Sequence, residues 1–213
     1  MADVELPGEI RIVDDVPRAF ARLVAETTPR SLALSGGELA HRCYTALRGE
    51  TIEWPTIDVF FGDERIVPVE SDDSNEGMAR RILLDHVRPR AVHSMVGAGA
   101  DGYDQLVRGA PPIDIVHLGL GPDGHTASLF PGSAAVEERD RLVVETGDDL
   151  HPYPRLTFTF PAIERAELVV MTVAGEEKRD AIRRIRAGDD LPAARIRGRR
   201  VLWIGDRAAL AAD

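Results

Sequence analysis

The chain has 213 residues, of which 44% are hydrophobic and 29% are charged. This length suits one domain, and the composition is that of a globular protein rather than a disordered or fibrous one. The formal net charge of −10, from 26 Lys and Arg against 36 Asp and Glu, argues against a nucleic-acid partner, which requires a basic face. An anionic small molecule is still an eligible ligand, because a few cations in one cleft can outweigh a diffuse negative charge.

Cysteine content and hydropathy restrict the environment of the protein. The single cysteine, Cys43, cannot form an intrachain disulfide or a cysteine-rich zinc site, and we expect it to pack inside a helix. Residues 1–7 carry acids and a proline where a secretion signal needs a basic segment followed by an apolar one. No apolar run reaches the ~20 residues that span a bilayer. We therefore expect a cytoplasmic protein with no membrane partner.

Helix-like and strand-like segments alternate along the chain. Apolar periodicity and capping residues predict helices over 15–27, 39–47, 74–83 and 101–107 and after Gly175. Short apolar runs predict strands over 31–34, 57–61, 113–118, 141–145, 156–160, 168–173 and 201–204. This alternation predicts an α/β fold with a mostly parallel sheet covered by helices on both faces. The adjacent strands near 141–160 predict a small antiparallel addition, and no linker divides the single domain expected over 1–213.

Three unusual loops follow predicted strands: Ser35-Gly36-Gly37, Gly62-Asp63-Glu64-Arg65, and the glycine-rich segment from Gly119 to His125. In parallel α/β sheets, ligands bind outside the carboxyl ends of the strands. We therefore expect the three loops to share one crevice.

The first loop has two interpretations. A glycine pair between a strand and a helix lets backbone N–H groups approach an anion, as in a phosphate cradle. The same sequence also forms ordinary tight turns that bind nothing. The full Walker A pattern is absent, which removes the usual argument for a nucleoside triphosphate.

The third loop matches the dinucleotide pattern G-x-G-x-x-G at Gly119, Gly121 and Gly124. Its context does not fit that function, because Pro131 leaves little room for the helix that would hold a pyrophosphate, and Asp123 would repel that group. The pattern alone is a weak signal, and we do not predict a nicotinamide or flavin cofactor.

His125 is the main candidate for proton transfer, since a glycine-flanked loop can present a neutral imidazole to a substrate. Asp123 could orient the ring or contact the ligand. The alternative is a structural role, in which the loop histidine hydrogen-bonds a neighbouring carbonyl. Of the other histidines, His93 and His117 fall in predicted strands, where packing is expected, and no zinc-ligand spacing occurs, so we predict no metal.

Two cations could hold an anion. Arg65 could bind a phosphate bidentately with its neighbouring acids fixing its position, or it could belong to a solvated cluster at a strand end. Lys178 lies in the first turn of its predicted helix, where a cation opposes the helix dipole, although a lysine beside two glutamates is usually a surface residue.

Taken together, these stretches resemble the 6-phosphogluconolactonase family, within the superfamily that also holds glucosamine-phosphate deaminases. The resemblance covers most of the chain and is most specific in the run Asp-Gly-His-Thr-Ala-Ser-Leu-Phe-Pro-Gly from Asp123 to Gly132. The other supporting stretches, in the same order as in the family, are Leu34–Gly37, Val59–Arg65, Ser74-Asn75, Arg155–Thr157, Gly175–Lys178, Leu191–Ala193 and Trp203–Ala208.

The resemblance implies a Rossmann-like, doubly wound fold and hydrolysis of 6-phospho-D-glucono-1,5-lactone to 6-phosphogluconate, a step of the oxidative pentose phosphate pathway, without a cofactor. It implies the catalytic residues His125, as general base, and Asp123. It implies that the substrate and its phosphate are bound by Ser35, Gly36, Gly37, Asp63, Arg65, Asn75 and Lys178. It assigns no role to Arg155, and a monomer is favoured slightly.

Glu38 departs from the family, which commonly has Ser or Thr after the two glycines, and its carboxylate could disfavour a phosphate there. Two alternatives stay open. One is a sugar-phosphate deaminase or isomerase on the same fold, but those deaminases resemble Asp-Gly-His-Ile-Ala-Phe-Asn-Glu, whereas this chain has Thr126 and Ser128 in that run. The other is a sugar-phosphate-binding regulator without turnover, for which loss of His125 would be the expected mark.

Overall fold

The computed structural model of the chain describes residues 5–147 and 151–211. The strands are β1 (Glu9–Ile12), β2 (Ser31–Leu34), β3 (Asp58–Phe61), β4 (Asp63–Arg65), β5 (Ala91–Val92), β6 (Ile115–Leu118), β7 (Val143–Thr146), β8 (Arg155–Phe158), β9 (Leu168–Val173) and β10 (Val201–Gly205). The helices are α1 (Val16–Thr27), α2 (Glu38–Leu47), α3 (Asn75–Ala79), α4 (Asp85–Val87), α5 (Met95–Gly109), α6 (Phe160–Glu164), α7 (Arg179–Arg186) and α8 (Arg207–Leu210). A π-helical turn over Arg80–Leu84 joins α3 to α4.

Two sheets organise these elements. A seven-stranded parallel sheet has the order β1-β10-β9-β6-β2-β3-β5, and a three-stranded antiparallel sheet has the order β4-β8-β7. Both predictions from the sequence, the parallel sheet and the antiparallel addition, are confirmed. Successive strands run outward from β2 on one side and from β6 on the other, so the chain changes direction between these two neighbours. Such a switch point opens a crevice at the carboxyl ends of the strands.

Helices cover both faces of the large sheet, as predicted. Along β2, Leu32 and Leu34 belong to one hydrophobic cluster with Phe20 of α1, whereas Ala33 belongs to the opposite cluster with Tyr103 of α5. All five side chains are fully buried. Because successive strand residues point to opposite faces, one central strand contributes to both cores, and burial of each large side chain contributes roughly 1.5–3 kcal/mol.

Some element boundaries differ from those predicted. The edge strand β1 was not predicted, because all four of its residues are exposed and give no apolar signal. The predicted helix 101–107 is the second part of α5, which begins at a Ser94 cap and changes direction at Gly99 (φ 68°). Strand β8 ends at Phe158, so the end of the predicted strand 156–160 is the start of α6, and β5 ends one residue before His93.

No helix in the part of the chain that the structure describes is long and apolar enough to cross a membrane. Cys43 is fully buried in α2, which confirms the packing role predicted for it.

Candidate active site

A cleft of about 390 Å³ opens at the switch point between β2 and β6. The three segments predicted to meet do so here, although the second forms strand β4 rather than a loop, and the segment after β9 joins them. The predicted site residues that line the cleft are Ser35, Gly36, Gly37, Asp63, Arg65, Asn75, His125 and Lys178. Asp123 is not itself a lining residue, but it contacts His125, which is.

The turn from Ser35 to Gly37 joins β2 to α2. Gly37 has a φ of 92°, which favours glycine, and a Cβ on Gly36 would lie 1.9 Å from Oδ1 of Asn75. The N–H of Ser35 donates to the Tyr44 hydroxyl oxygen at 2.6 Å, in the protein interior. The Ser35 N–H is therefore engaged inside the protein and is not a donor to the cleft. Gly36 and Gly37 are the remaining candidates.

Strand β4 carries two acids whose carboxylates organise the cleft wall. The buried Glu64 carboxylate accepts backbone N–H groups from Arg65, Asn75 and Glu76 and the hydroxyl of Ser74, at 2.6–3.0 Å. Glu64 thus fixes the start of α3 against β4. It fixes the position of Arg65 through the backbone N–H of that residue.

The guanidinium of Arg65 donates from Nη1 to the carbonyl oxygen of Asp73 at 2.6 Å. Asp63 is buried and accepts a hydrogen bond from the Ser128 hydroxyl at 2.7 Å, so it ties β4 to the histidine loop. The Asn75 side chain donates to the carbonyl oxygen of Asp63 at 3.0 Å. Asp63 and Asn75 line the cleft, and their described bonds hold the loops around it in place.

The glycine-rich loop after β6 presents the imidazole of His125. Its Nδ1 lies 2.6 Å from Oδ1 of Asp123, and the same oxygen accepts the His125 backbone N–H at 3.1 Å. A Cβ on Gly121 would lie 2.1 Å from the ring, so glycine is needed there for close approach. The ring of Phe130 packs edge-on at 5.0 Å. These contacts fix the ring, with the Nδ1 proton donated to the carboxylate and Nε2 left as the acceptor.

The charge of Asp123 is favoured by its partner. Partial burial raises the pKa of this carboxyl, but the neighbouring imidazole and its hydrogen bonds outweigh burial, so the pKa lies below its ordinary value. An ionised Asp123 suits a base that becomes positively charged during a reaction.

The loop does not have the geometry of a dinucleotide site. Over the described residues 119–133, no helix follows the glycines; an isolated bridge between Thr126 and Leu129 closes the turn instead. The helix N-terminus that would hold a pyrophosphate is therefore missing from this segment.

Lys178 ends a single turn of 3-10 helix, Glu176–Lys178, after β9. Gly175 begins this turn with a φ of 96°, and its N–H donates to the carboxylate of Asp206 at 3.0 Å. Lys178 follows β9, on one side of the switch point, whereas Arg65 follows β3, on the other side. Among residues 5–147 and 151–211, no group of His, Cys, Asp and Glu side chains is arranged to hold a metal ion.

Comparison with known proteins shows which family the chain belongs to. The family model for glucosamine-6-phosphate isomerases and 6-phosphogluconolactonases matches residues 10–203. The chain belongs to this family.

Relatives named 6-phosphogluconolactonase are similar over nearly the whole chain. The enzyme of Synechocystis sp. is 39% identical and that of Mycobacterium tuberculosis is 37% identical, and each alignment covers 91% of this chain and 89% of the relative. The crystal structure of a 6-phosphogluconolactonase from Thermotoga maritima matches with a TM-score of 0.82 at 27% identity, over 93% of this chain and 99% of that one.

Several residues in or near the cleft had no functional role predicted from the sequence. Arg155, at 8% exposure, lines the cleft and lies over the Phe130 ring at 5.5 Å; its place in a family motif was the only signal. His151 stacks on Phe130 and faces the His125 ring at 5.9 Å. Tyr44 could not be distinguished from an ordinary core residue, because only the folded structure brings its hydroxyl to the turn at Ser35.

Proposed function

We propose that this chain is a 6-phosphogluconolactonase, which hydrolyses 6-phospho-D-glucono-1,5-lactone to 6-phosphogluconate. One observation carries the proposal: an imidazole oriented by a carboxylate lies in the same cleft as Arg65, Lys178 and a glycine turn. The His125–Asp123 pair supplies a base, and Arg65 and Lys178 supply positive charge for a phosphate. The relatives that match over nine-tenths of the chain support the same reaction.

In this mechanism His125 acts as the general base. Because Asp123 accepts the Nδ1 proton, the neutral ring keeps its lone pair on Nε2. Nε2 takes a proton from a water molecule as the water oxygen attacks the lactone carbonyl carbon. The tetrahedral intermediate then expels the ring oxygen, which receives the proton from Nε2. The reaction consumes only lactone and water, and a positioned base contributes ~10²–10⁴-fold.

The phosphate supplies the binding energy that positions the lactone. Arg65 and Lys178 form charge-assisted hydrogen bonds to it, which are stronger than neutral ones. The N–H groups of Gly36 and Gly37 at the start of α2 add donors where the helix dipole favours an anion. These cations concentrate positive charge in one cleft of a chain whose net charge is −10.

We also propose a single domain over 1–213, of which residues 1–4, 148–150 and 212–213 lie outside the described residues, and a monomer that works on the sugar-phosphate lactone without a nucleic-acid partner. One chain supplies every group that the mechanism uses, which supports a monomer. The cytoplasm is the proposed compartment. Cys43 is compatible with it, because burial raises the pKa of the thiol to about 12 and so suppresses thiolate reactivity.

The test is hydrolysis of freshly generated 6-phosphogluconolactone, with coupled detection of 6-phosphogluconate and subtraction of spontaneous hydrolysis. We expect wild type to accelerate the reaction, His125→Ala to lose ~10²–10⁴-fold, and His41→Ala, an exposed histidine of α2, to match wild type. No acceleration by wild type would refute the proposed function and favour a sugar-phosphate binder or a deaminase. Full activity of His125→Ala would refute the assignment of the base.

A further inference from the structure

A row of buried, hydrogen-bonded polar groups adjoins the glycine turn at Ser35–Gly37. The Tyr44 hydroxyl of α2 accepts the Ser35 N–H at 2.6 Å and lies 2.8 Å from Nδ1 of His117 in β6. Nε2 of His117 lies 2.8 Å from the hydroxyl of Thr172 in β9. All four residues are at most 5% exposed.

The hydrogen-bonding protons of these buried side chains can be assigned. Burial lowers the pKa of His117 to about 3, so its ring is neutral and has one donor and one acceptor. The Tyr44 proton has two acceptors in reach, Nδ1 of His117 at 2.8 Å and the Ser35 carbonyl oxygen at 3.3 Å, and the shorter contact is the stronger. Nε2–H of His117 then donates to Thr172. Tyr44 is thereby held in one orientation by groups from two further strands.

This arrangement determines where the next amide points. The Ser35 carbonyl oxygen faces Tyr44, and it belongs to the same peptide plane as the N–H of Gly36. The described chain has no cis peptide bond, so in this trans peptide the N–H of Gly36 points away from the carbonyl and thus away from the buried tyrosine. The cleft, which Gly36 lines, lies on that side.

We propose that Tyr44, held by His117 and Thr172, is a positioning residue that aims the Gly36 amide at the phosphate of the substrate. The inference rests on the proposed function, because it requires that an anion occupies this turn. Tyr44 touches no reacting atom. It acts on substrate binding through the orientation of the backbone.

The chain contains a matched control for a purely structural role. Tyr103 of α5 is also fully buried, and its hydroxyl accepts the N–H of Phe61 at 2.8 Å and lies 3.4 Å from the carbonyl oxygen of the same residue. It therefore makes the same pair of contacts at the end of β3 that Tyr44 makes just beyond the end of β2. Phe61 does not line the cleft. Loss of either hydroxyl leaves a buried N–H without its partner, but only the Tyr44 hydroxyl adjoins the glycine turn.

The experiment compares Tyr44→Phe with Tyr103→Phe in steady-state hydrolysis of 6-phosphogluconolactone and in protection from thermal unfolding by inorganic phosphate. We expect Tyr44→Phe to raise KM about tenfold with kcat within twofold of wild type, and to lose most of the phosphate protection. Tyr103→Phe should also lose thermal stability, but less than Tyr44→Phe because only the Tyr44 hydroxyl bonds a buried histidine, with KM and phosphate protection unchanged. If both variants keep the wild-type KM, or both raise it equally, the positioning role is refuted.

A second substitution covers the case in which Tyr44→Phe does not fold. Thr172→Val removes the acceptor of Nε2–H, whereas Thr172→Ser retains a hydroxyl. We expect a raised KM in the first and recovery in the second, and equal KM values in both would overturn the inference. A wild-type protein that neither hydrolyses the lactone nor gains stability from phosphate would refute the proposed function itself, which is a distinct outcome.

Discussion

Two substitutions of Asp123 distinguish its two contributions to the action of His125: its negative charge and its orientation of the imidazole ring. One oxygen, Oδ1, accepts both hydrogen bonds from His125, one from Nδ1 and one from the backbone N–H. In Asp123→Asn the amide oxygen can take the place of Oδ1 and keep both bonds, so the ring stays in position and only the negative charge is lost. In Asp123→Ala both bonds disappear, and the ring loses its orientation as well.

The size of each effect follows from the geometry. A hydrogen bond to a charged group contributes about 1.5–3 kcal/mol, against about 0.5–1.5 kcal/mol for a neutral pair. The Asp123 side chain is 44% exposed, so solvent screening places the difference near 1 kcal/mol, or about fivefold in rate. Of the two bonds that Asp123→Ala removes, the one from Nδ1 acts on the reacting ring, and its loss, at about 1.5–3 kcal/mol, corresponds to roughly 10- to 150-fold.

Initial rates of lactone hydrolysis near neutral pH, corrected for the spontaneous reaction, measure both effects. We expect kcat to fall about fivefold in Asp123→Asn and roughly 10- to 150-fold in Asp123→Ala, with little change in KM because neither variant alters the phosphate-binding groups. Equal losses in the two variants would show that orientation through Oδ1 is not what Asp123 provides. Wild-type rates in Asp123→Ala would remove Asp123 from the mechanism.

Three further results are expected. Each Glu64 carboxylate oxygen accepts two hydrogen bonds, and in Glu64→Gln an NH₂ group replaces one of these oxygens. The free energy of unfolding should therefore fall by about 2–4 kcal/mol, and the melting temperature in calorimetry should fall by ~4–16 °C. Gly36→Ala places a Cβ 1.9 Å from the Asn75 side chain and should raise KM, whereas Gly109→Ala, which has no heavy atom within 4 Å of the new Cβ, should leave kinetics unchanged. Because the folded-state pKa of Asp123 lies below its ordinary value, its charge stabilises the fold above about pH 4, and this contribution is lost as the pH falls through the folded-state pKa. The melting-temperature difference between wild type and Asp123→Asn should therefore shrink from about pH 6 to about pH 3, and a constant difference would contradict the linkage.

The central part of the fold was predictable because its signals are local. The strands at Ser31–Leu34 and Leu168–Val173 are short apolar runs bounded by polar or glycine residues, and the Asp15 cap with Pro17 marks the start of α1. Strand β1 gave no such signal, since an exposed edge strand needs no apolar face. The helix start at Met95 was obscured by three glycines; the Ser94 cap begins the helix there, and the helical conformation is interrupted at Gly99.

The candidate site was predictable to the extent that one loop determines it. The Asp123–His125 spacing places carboxylate and imidazole in contact within a single turn, and strand-end position predicted that His125, Arg65 and Ser35 would converge. Contacts between distant segments gave no signal in the sequence. The engagement of the Ser35 amide by Tyr44 depends on a buried hydroxyl, whose partner only the packed sheet determines.

The strand order has a consequence for how activity is gained during folding. Ser35 follows β2, His125 follows β6 and Lys178 follows β9, and these strands are adjacent in the sheet although they are far apart in the sequence. Such non-local pairings form slowly compared with helices. A refolding chain should therefore regain helical circular dichroism before it regains lactone hydrolysis, so catalytic activity would report the moment at which β2, β6 and β9 are all paired.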